Sequence, residues 1–204
     1  MIKAIIFDLG GVIACEDWDS YGETVWQKMA EFLEISHDQL GVLFHKFYRD
    51  EGLRLGRGSE TEFFSELADI SPNEISENDV KDFFYSLFYA KDEMVLFVKK
   101  LSLKYPLYMI SNDVAQWFDY KIEKFGIKKY FRHLFCSGNI GYAKPDPRIY
   151  EYALSKIPEA PIECVFVDNI ERNLPPMKEL GVKTILFSGV EKLKEELEKL
   201  GIKP

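Results

Sequence analysis

The chain has 204 residues, 47% of them apolar and 29% charged, with a formal net charge of -8. This is the composition of a folded globular protein, long enough for one well-buried domain or one domain with a small insert, and not of a disordered chain. The negative balance excludes a broad electrostatic attraction to nucleic acid or to an anionic membrane surface, and the lack of any apolar run of about 18 residues excludes a spanning helix.

The first predicted element is Ala4 to Phe7, a short, continuously apolar run that reads as a buried strand. The surrounding MIKAIIFDLGGVIACEDWD has one lysine and an apolar stretch, as a secretory leader does, but Asp8 breaks the stretch early and acids follow it. A long helical stretch comes next. Ser36 precedes an apolar-periodic segment through Tyr48, and Ser59 with Glu62 has the spacing of a capping box before FFSEL. Asp79 to Tyr89 and Glu93 to Lys104 continue the pattern.

The runs Leu107 to Ile110, Leu134 to Cys136, Val165 to Val167 and Thr184 to Phe187 then read as further buried strands. Helical patterns separate and follow them. Val114 to Phe125 stops at Gly126, and Pro147 to Ile157 opens on a first-turn proline and is followed by Pro158. Leu174 to Leu180 ends at Gly181, and Val190 to Leu200 ends at Gly201.

Strand and helix alternating in this way predict an α/β protein with a Rossmann-like, five-stranded parallel sheet covered by helices. Residues 1–14 and 91–204 are expected to form this core and residues 15–90 a small helical cap. Such a block would lie as a lid over the carboxyl ends of the strands, where open α/β sheets bind ligands. Cys15, Cys136 and Cys164 are odd in number and lack CxxC spacing, which suits reduced, mostly buried thiols in a cytoplasmic protein.

Four segments carry polar groups to strand ends. Asp8 follows the first strand and precedes Leu9, Gly10 and Gly11, so backbone can approach a ligand beside a carboxylate. A capping aspartate in a strand-to-loop turn has the same appearance. Ser111, Asn112 and Asp113 follow the second strand; Ser111 is either a hydroxyl donor to an anion or the N-cap of the next helix. Lys144 sits in Gly141-Tyr142-Ala143-Lys144-Pro145-Asp146-Pro147, where two prolines stiffen the loop, although a lone lysine is ordinarily solvated. Asp168 and Asn169 end the fourth strand, and Asp168 is a second carboxylate for a hard cation that takes oxygen ligands. Together these place Asp8, Ser111, Lys144 and Asp168 at one edge of one sheet.

The sequence resembles the haloacid dehalogenase superfamily of hydrolases. The matching segments, in that family's order, are FDLGGVI around Asp8, MISND around Ser111, YAKPDPRIY around Lys144 and VFVDNIERN around Asp168. The segment LGRGSETEFFSEL is similar to part of the family's helical cap. In the phosphatase branch, the resemblance implies that Asp8 attacks phosphorus and forms an aspartyl phosphate, and that Ser111 hydrogen-bonds a phosphoryl oxygen. It implies that Lys144 neutralises nucleophile and phosphate, with Asn112 also on the substrate side. It further implies Mg²⁺ held by Asp8, Asp168 and the backbone carbonyl of Gly10, and a small phosphorylated metabolite, such as a sugar phosphate, as substrate.

Two positions depart from the pattern. Most phosphatases of the family carry a second aspartate, as general acid and base, where this chain has Gly10; such proton transfer contributes typically about 10²–10⁴-fold. Asn169 stands where an acid is common. The expectation is a preference for good leaving groups, such as sugar 1-phosphates, acyl phosphates or aryl phosphates. Glu16, Asp17, Asp19 and His45 are positional candidates for a replacement acid, with solvated side chains as the ordinary alternative. Arg49, Arg54 and Arg57 are candidates for contacting an anionic substrate, and Trp18 and Tyr21 either stack on a ring or pack the hinge. A metal-independent 2-haloacid dehalogenase and a non-catalytic member of the fold are the competing readings; retention of Asp168 favours phosphate chemistry.

Overall fold

The computed structural model describes residues 1–15, 25–50 and 52–203. In chain order the elements are β1 (Ala4–Phe7), β2 (Ala14–Cys15), α1 (Val25–Leu33), α2 (His37–Phe44), α3 (Glu60–Ile70), α4 (Glu77–Ser86), β3 (Tyr89–Ala90) and α5 (Asp92–Ser102). They continue as β4 (Leu107–Ser111), α6 (Ala115–Lys124), β5 (His133–Cys136), α7 (Ser137–Ile140), α8 (Pro147–Leu154), β6 (Cys164–Asp168), α9 (Leu174–Glu179), β7 (Lys183–Leu186) and α10 (Val190–Lys199).

The main sheet is parallel with the order β5-β4-β1-β6-β7. The chain builds outward from β1 to β5, then crosses back to add β6 and β7 on the other flank. That reversal makes the carboxyl end of β1 a topological switch point, the place where open α/β sheets form a crevice. Strand alternation sorts the core into two layers. Ile5, Phe7, Met109 and Val167 pack under α5, α6 and α10, while Ala4, Ile6, Tyr108 and Phe166 pack under α8 and α9.

The helical segment forms a third apolar cluster, rich in stacked and edge-on rings, around Phe63, Phe64 and Phe84. It is not closed by its own residues alone. Val114 and Trp117, from the start of α6, are buried in it. Trp117 lies 4.7 Å from the ring of Phe84 and donates its indole N–H to the buried Glu60 at 3.3 Å. The chain leaves and re-enters the sheet layer through an antiparallel pair, β2 with β3, closed by Lys91 N–H donating to the Ile13 carbonyl.

Several local expectations shift. The helix expected through Tyr48 ends as α-helix at Phe44 and widens into a π-helical turn over His45–Asp50. Ser59 accepts from the Glu62 N–H without the return bond, whereas full capping boxes form at Ser36 with Gln39 and at Ser76 with Asp79. Tyr89 pairs in β3 instead of extending α4. Glu16, Asp17, Trp18, Asp19 and Tyr21 lie outside the described residues. Among the described residues no helix is long and apolar enough to cross a membrane.

Because Trp117 belongs to the third cluster, Trp117→Ala is expected to lower the free energy of unfolding by about 3–5 kcal/mol. Leu103→Ala, at a side chain 81% exposed, should change it by less than about 0.5 kcal/mol. Urea unfolding of both variants checks this. A loss below about 1 kcal/mol for Trp117→Ala would show that the helical block does not rest on α6.

Candidate active site

Sheet register alone brings the carboxylates together. Phe7 pairs with Val167, so the next residues, Asp8 and Asp168, are lateral neighbours at the rim. The Asp8 N–H donates to the Val167 carbonyl at 2.9 Å and holds this register one residue past the ladder. On the other flank Phe7 pairs with Met109, which puts Ser111 one step beyond the level of Asp8.

Lys144 enters between the carboxylates. Its ammonium donates to Asp8 Oδ1 and to Asp168 Oδ2, each at 2.7 Å, and the lysine is only 4% exposed. Asn112 clamps the lysine's backbone on both sides: its amide donates to the Lys144 carbonyl at 2.8 Å and accepts from the Lys144 N–H at 2.7 Å. Downstream, Asp146 caps α8 and Pro147 occupies the helix's first turn, where a missing N–H is tolerated. Asp168 is fully buried and accepts from the Ile170 N–H at 2.8 Å. The buried amide of Asn173 donates to both Asp168 oxygens at 3.0 and 3.1 Å.

Burial raises the Asp8 carboxyl to about 7, against the pull of Lys144 and with the help of the Asp168 charge. A buried carboxyl that stays this reluctant to ionise beside an ammonium is short of positive charge. The donors at hand are carboxylate oxygens together with the Gly10 backbone, which lines the cavity beside Asp8. Among the described residues no group of three or more His, Cys, Asp or Glu gathers. The set therefore fits Mg²⁺, which is usually held by one or two carboxylates and completed by waters and substrate oxygens, and not a cation that needs an all-protein cage.

The glycines after Asp8 are not equivalent. Gly11 has φ of 74°, and a Cβ there would lie 2.2 Å from the Asn169 amide, so any other residue would strain the backbone and displace Asn169. Its carbonyl accepts from the Lys91 ammonium at 2.5 Å. Gly10 bridges to Ala14, and the left-handed conformation falls on its neighbour.

Above this edge lies a cavity of about 390 Å³, within reach of a small-metabolite site. The sheet rim contributes Asp8, Gly10, Asn112, Lys144 and Asn169, and the helical block contributes Trp26, Phe44, His45, Tyr48, Arg49 and Arg54. Tyr48 donates its hydroxyl to the Asn112 carbonyl at 3.2 Å. Ser111 is buried at the end of β4 and is not among the lining residues. It is also not the N-cap of α6: that position is Val114, and the Asp113 carboxylate accepts from the Val114 N–H at 2.9 Å. Arg57 is exposed outside the cavity. Asn173, Tyr48 and Arg172 join the site although none of them stands at a strand end in the sequence. For Asn173 a signal existed, since an amide five residues past a strand-end aspartate can fold back onto it.

This chain belongs to the haloacid dehalogenase-like hydrolases, whose family model matches residues 2–181. It is 27% identical over 194 residues to D-ribitol-5-phosphate phosphatase of Bacteroides thetaiotaomicron, covering 90% of this chain and 91% of that one. It is 24% identical over 194 residues to glyceraldehyde 3-phosphate phosphatase of Methanocaldococcus jannaschii, with 91% and 84% coverage. Among solved structures, a HAD family enzyme from Bacteroides thetaiotaomicron in complex with magnesium and inorganic phosphate shares the fold. Its TM-score is 0.74 at 21% identity, over 91% of this chain and 93% of that chain.

A carboxyl raised from 3.8 to about 7 keeps its proton in the folded protein where the unfolded chain has lost it. In the metal-free protein, folding then takes up a proton between these values, and the Asp8 contribution to stability falls as pH rises through them. Asp8→Asn mimics the protonated state. Without metal it should be more stable than wild type at about pH 8 and lose that advantage by about pH 4. Chemical denaturation across pH tests this, and a difference that does not vary with pH would mean that Lys144 balances Asp8 completely.

Proposed function

We propose that this protein is a Mg²⁺-dependent phosphatase that hydrolyses a small phosphorylated metabolite through an aspartyl phosphate on Asp8. The observation that carries the reading is the Lys144 ammonium, 2.7 Å from both Asp8 and Asp168, at the floor of a cavity sized for a small molecule. The family and the phosphatase relatives support it, as does the magnesium and phosphate bound by the structural neighbour.

In this reading one carboxylate oxygen of Asp8 attacks phosphorus as the bond to the leaving oxygen breaks. Water then attacks the phosphorus of the aspartyl phosphate, releasing inorganic phosphate and restoring Asp8. Lys144 neutralises the nucleophile and the phosphoryl oxygens, and Ser111 donates a hydroxyl to one of them. Asn112 serves the substrate side chiefly by fixing the Lys144 backbone. Asp8, Asp168 and the Gly10 carbonyl would hold Mg²⁺, which supplies further positive charge to a reaction governed by positioning and charge neutralisation. Residues 15–90 act as the lid. Two buried free thiols, Cys136 and Cys164, suit the cytoplasm.

Gly10 leaves this chemistry without the usual acid, so the leaving oxygen departs best when it is already stable as an anion. Of the cap candidates within the described residues, His45 lines the cavity, paired with Asp50 at 3.3 Å. Because Gly10 is not left-handed, Gly10→Asp meets no backbone penalty from φ.

Phosphate release from a panel of sugar, nucleotide, alkyl and aryl phosphates is expected to require Mg²⁺, to stop with a chelator and to be abolished in Asp8→Asn. Gly10→Asp should speed alkyl phosphates by about 10-fold or more and aryl phosphates little. Alkyl phosphates turning over faster than aryl phosphates in the wild type would sink the leaving-group argument. Halide release from a 2-haloacid without Mg²⁺ would replace the phosphatase reading with a dehalogenase.

A further inference from the structure

The cavity's charges do not match the chain's. The protein carries a net charge of -8, yet among the described lining residues Asp8 is the one carboxylate, facing Lys144, Arg49, Arg54 and Arg172. Lys144 is committed to the carboxylates of the floor. Among the described residues no carboxylate pairs with the three arginines, which is more cationic charge than the recognition of a single phosphoryl group beside Lys144 and a metal requires.

Arg54 is the best placed of them. It sits in the turn Leu53–Leu55, bounded by Gly52 and Gly56 in left-handed conformation at φ of 80° and 71°. Gly56 is pressed on the sheet layer: a Cβ there would lie 2.2 Å from the Gly138 carbonyl. The turn is thus held by close backbone contact and is not a free lid loop. The guanidinium lies 5.8 Å from the centre of the Tyr48 ring, within the range of a cation–π contact, which uses none of its N–H donors. Its Nε is buried and, among the described residues, has no hydrogen-bond partner. A buried N–H without an acceptor is an unfavourable arrangement unless a ligand supplies one.

We propose that Arg54, supported by Arg49 and Arg172, forms an anion subsite across the cavity from Asp8, and that the substrate is a phosphomonoester bearing a second anionic group, carboxylate or phosphate, at its far end. This rests on the phosphatase reading for the reacting end only. Two oxygens of a carboxylate or a phosphate would accept bidentate hydrogen bonds from the guanidinium, a geometry lysine cannot reproduce. The substrate class therefore differs from the neutral polyol and aldehyde phosphates named for the two phosphatase relatives.

The test uses matched pairs with the full chain and Mg²⁺: glycerol 3-phosphate against 3-phosphoglycerate for a carboxylate, and fructose 6-phosphate against fructose 1,6-bisphosphate for a second phosphate. The readout is the ratio of kcat/KM, anionic over neutral, within each pair. Wild type should favour the anionic member of at least one pair by about 10-fold, and the pair that responds identifies the anion. Arg54→Met should bring that ratio near one, mainly through KM, Arg54→Lys should restore part of it, and Arg57→Met, outside the cavity, should keep it. A wild-type ratio near one in both pairs, or an equal loss on both members in Arg54→Met, overturns the proposal. Calorimetric binding to Asp8→Asn protein separates the subsite from turnover. Binding of 3-phosphoglycerate or fructose 1,6-bisphosphate weakened about 10-fold by Arg54→Met upholds the subsite even if no ester is hydrolysed, and unchanged binding of both rejects it.

Discussion

The structure turns on one buried ammonium between two buried carboxylates. The parallel register that pairs Phe7 with Val167 leaves no choice about Asp8 and Asp168: two acids must share the rim at the switch point of the sheet. Two like charges removed from water repel and lose hydration together, and only a cation between them makes the arrangement tenable. Lys144 is that cation, and removing it would leave both carboxylates buried without a counter-charge, a loss that typically costs about 3–5 kcal/mol. Yet the balance is incomplete, because burial still raises Asp8 to about 7. If Asp8 acts as the proposed nucleophile, added positive charge at this floor would let its carboxyl ionise beside a phosphate group.

A cluster of this kind keeps its geometry only if each member is held by something other than its partners. Lys144 is fixed through its backbone by the amide of Asn112, which sets where its side chain starts, and the two acids hold its ammonium. Asp168 is fixed by the Ile170 N–H and by Asn173, whose own carbonyl accepts from the buried Tyr150 hydroxyl at 2.8 Å. Beside them the loop after β4 is held by a second buried pair, Lys121 with Asp113 at 2.7 Å, and by Ser137, whose hydroxyl donates to the Asp113 carbonyl. Fully connected polar networks of this sort specify one arrangement more sharply than apolar packing does. They give positional precision to the ends of strands, where packing is thinnest.

Much of this was legible in the sequence because its signals were local. Each of the five sheet strands lies within a residue or so of its apolar run, and the acids at Asp8 and Asp168 are where a strand must end if its next residue is charged. The lysine loop was legible through its prolines. What escaped were relations between distant segments. Trp117 satisfies the amphipathic pattern of α6 as an ordinary core residue, and nothing in that pattern says that the core it fills belongs to the helical block. The widening of the helix at His45–Asp50 and the two-residue strands β2 and β3 depend on tertiary pairing and leave no periodic trace. Ser111 looks like a helix cap by type and spacing. The helix starts later because Asp113, two residues on, accepts from Val114 and is anchored by Lys121.

The helical block and the charged floor are consequently not independent parts. Among the described residues the block touches the loop after β4 and its surroundings at several points, among them Trp117 buried among its rings, Tyr48 bonded to the Asn112 carbonyl, and Gly56 against Gly138. Gly138 in turn donates its N–H to the Asp113 carbonyl at 3.1 Å. Asn112 is the residue that clamps Lys144. A block that swung away about the β2–β3 pair would strip Tyr48 from Asn112 and draw the Arg54 turn off Gly138 in the same movement. The cavity's cationic wall and the anchor of its floor lysine would loosen together. In the arrangement seen here both are set at once: the contacts that hold the block over the cavity also reach Asn112, the residue that clamps Lys144.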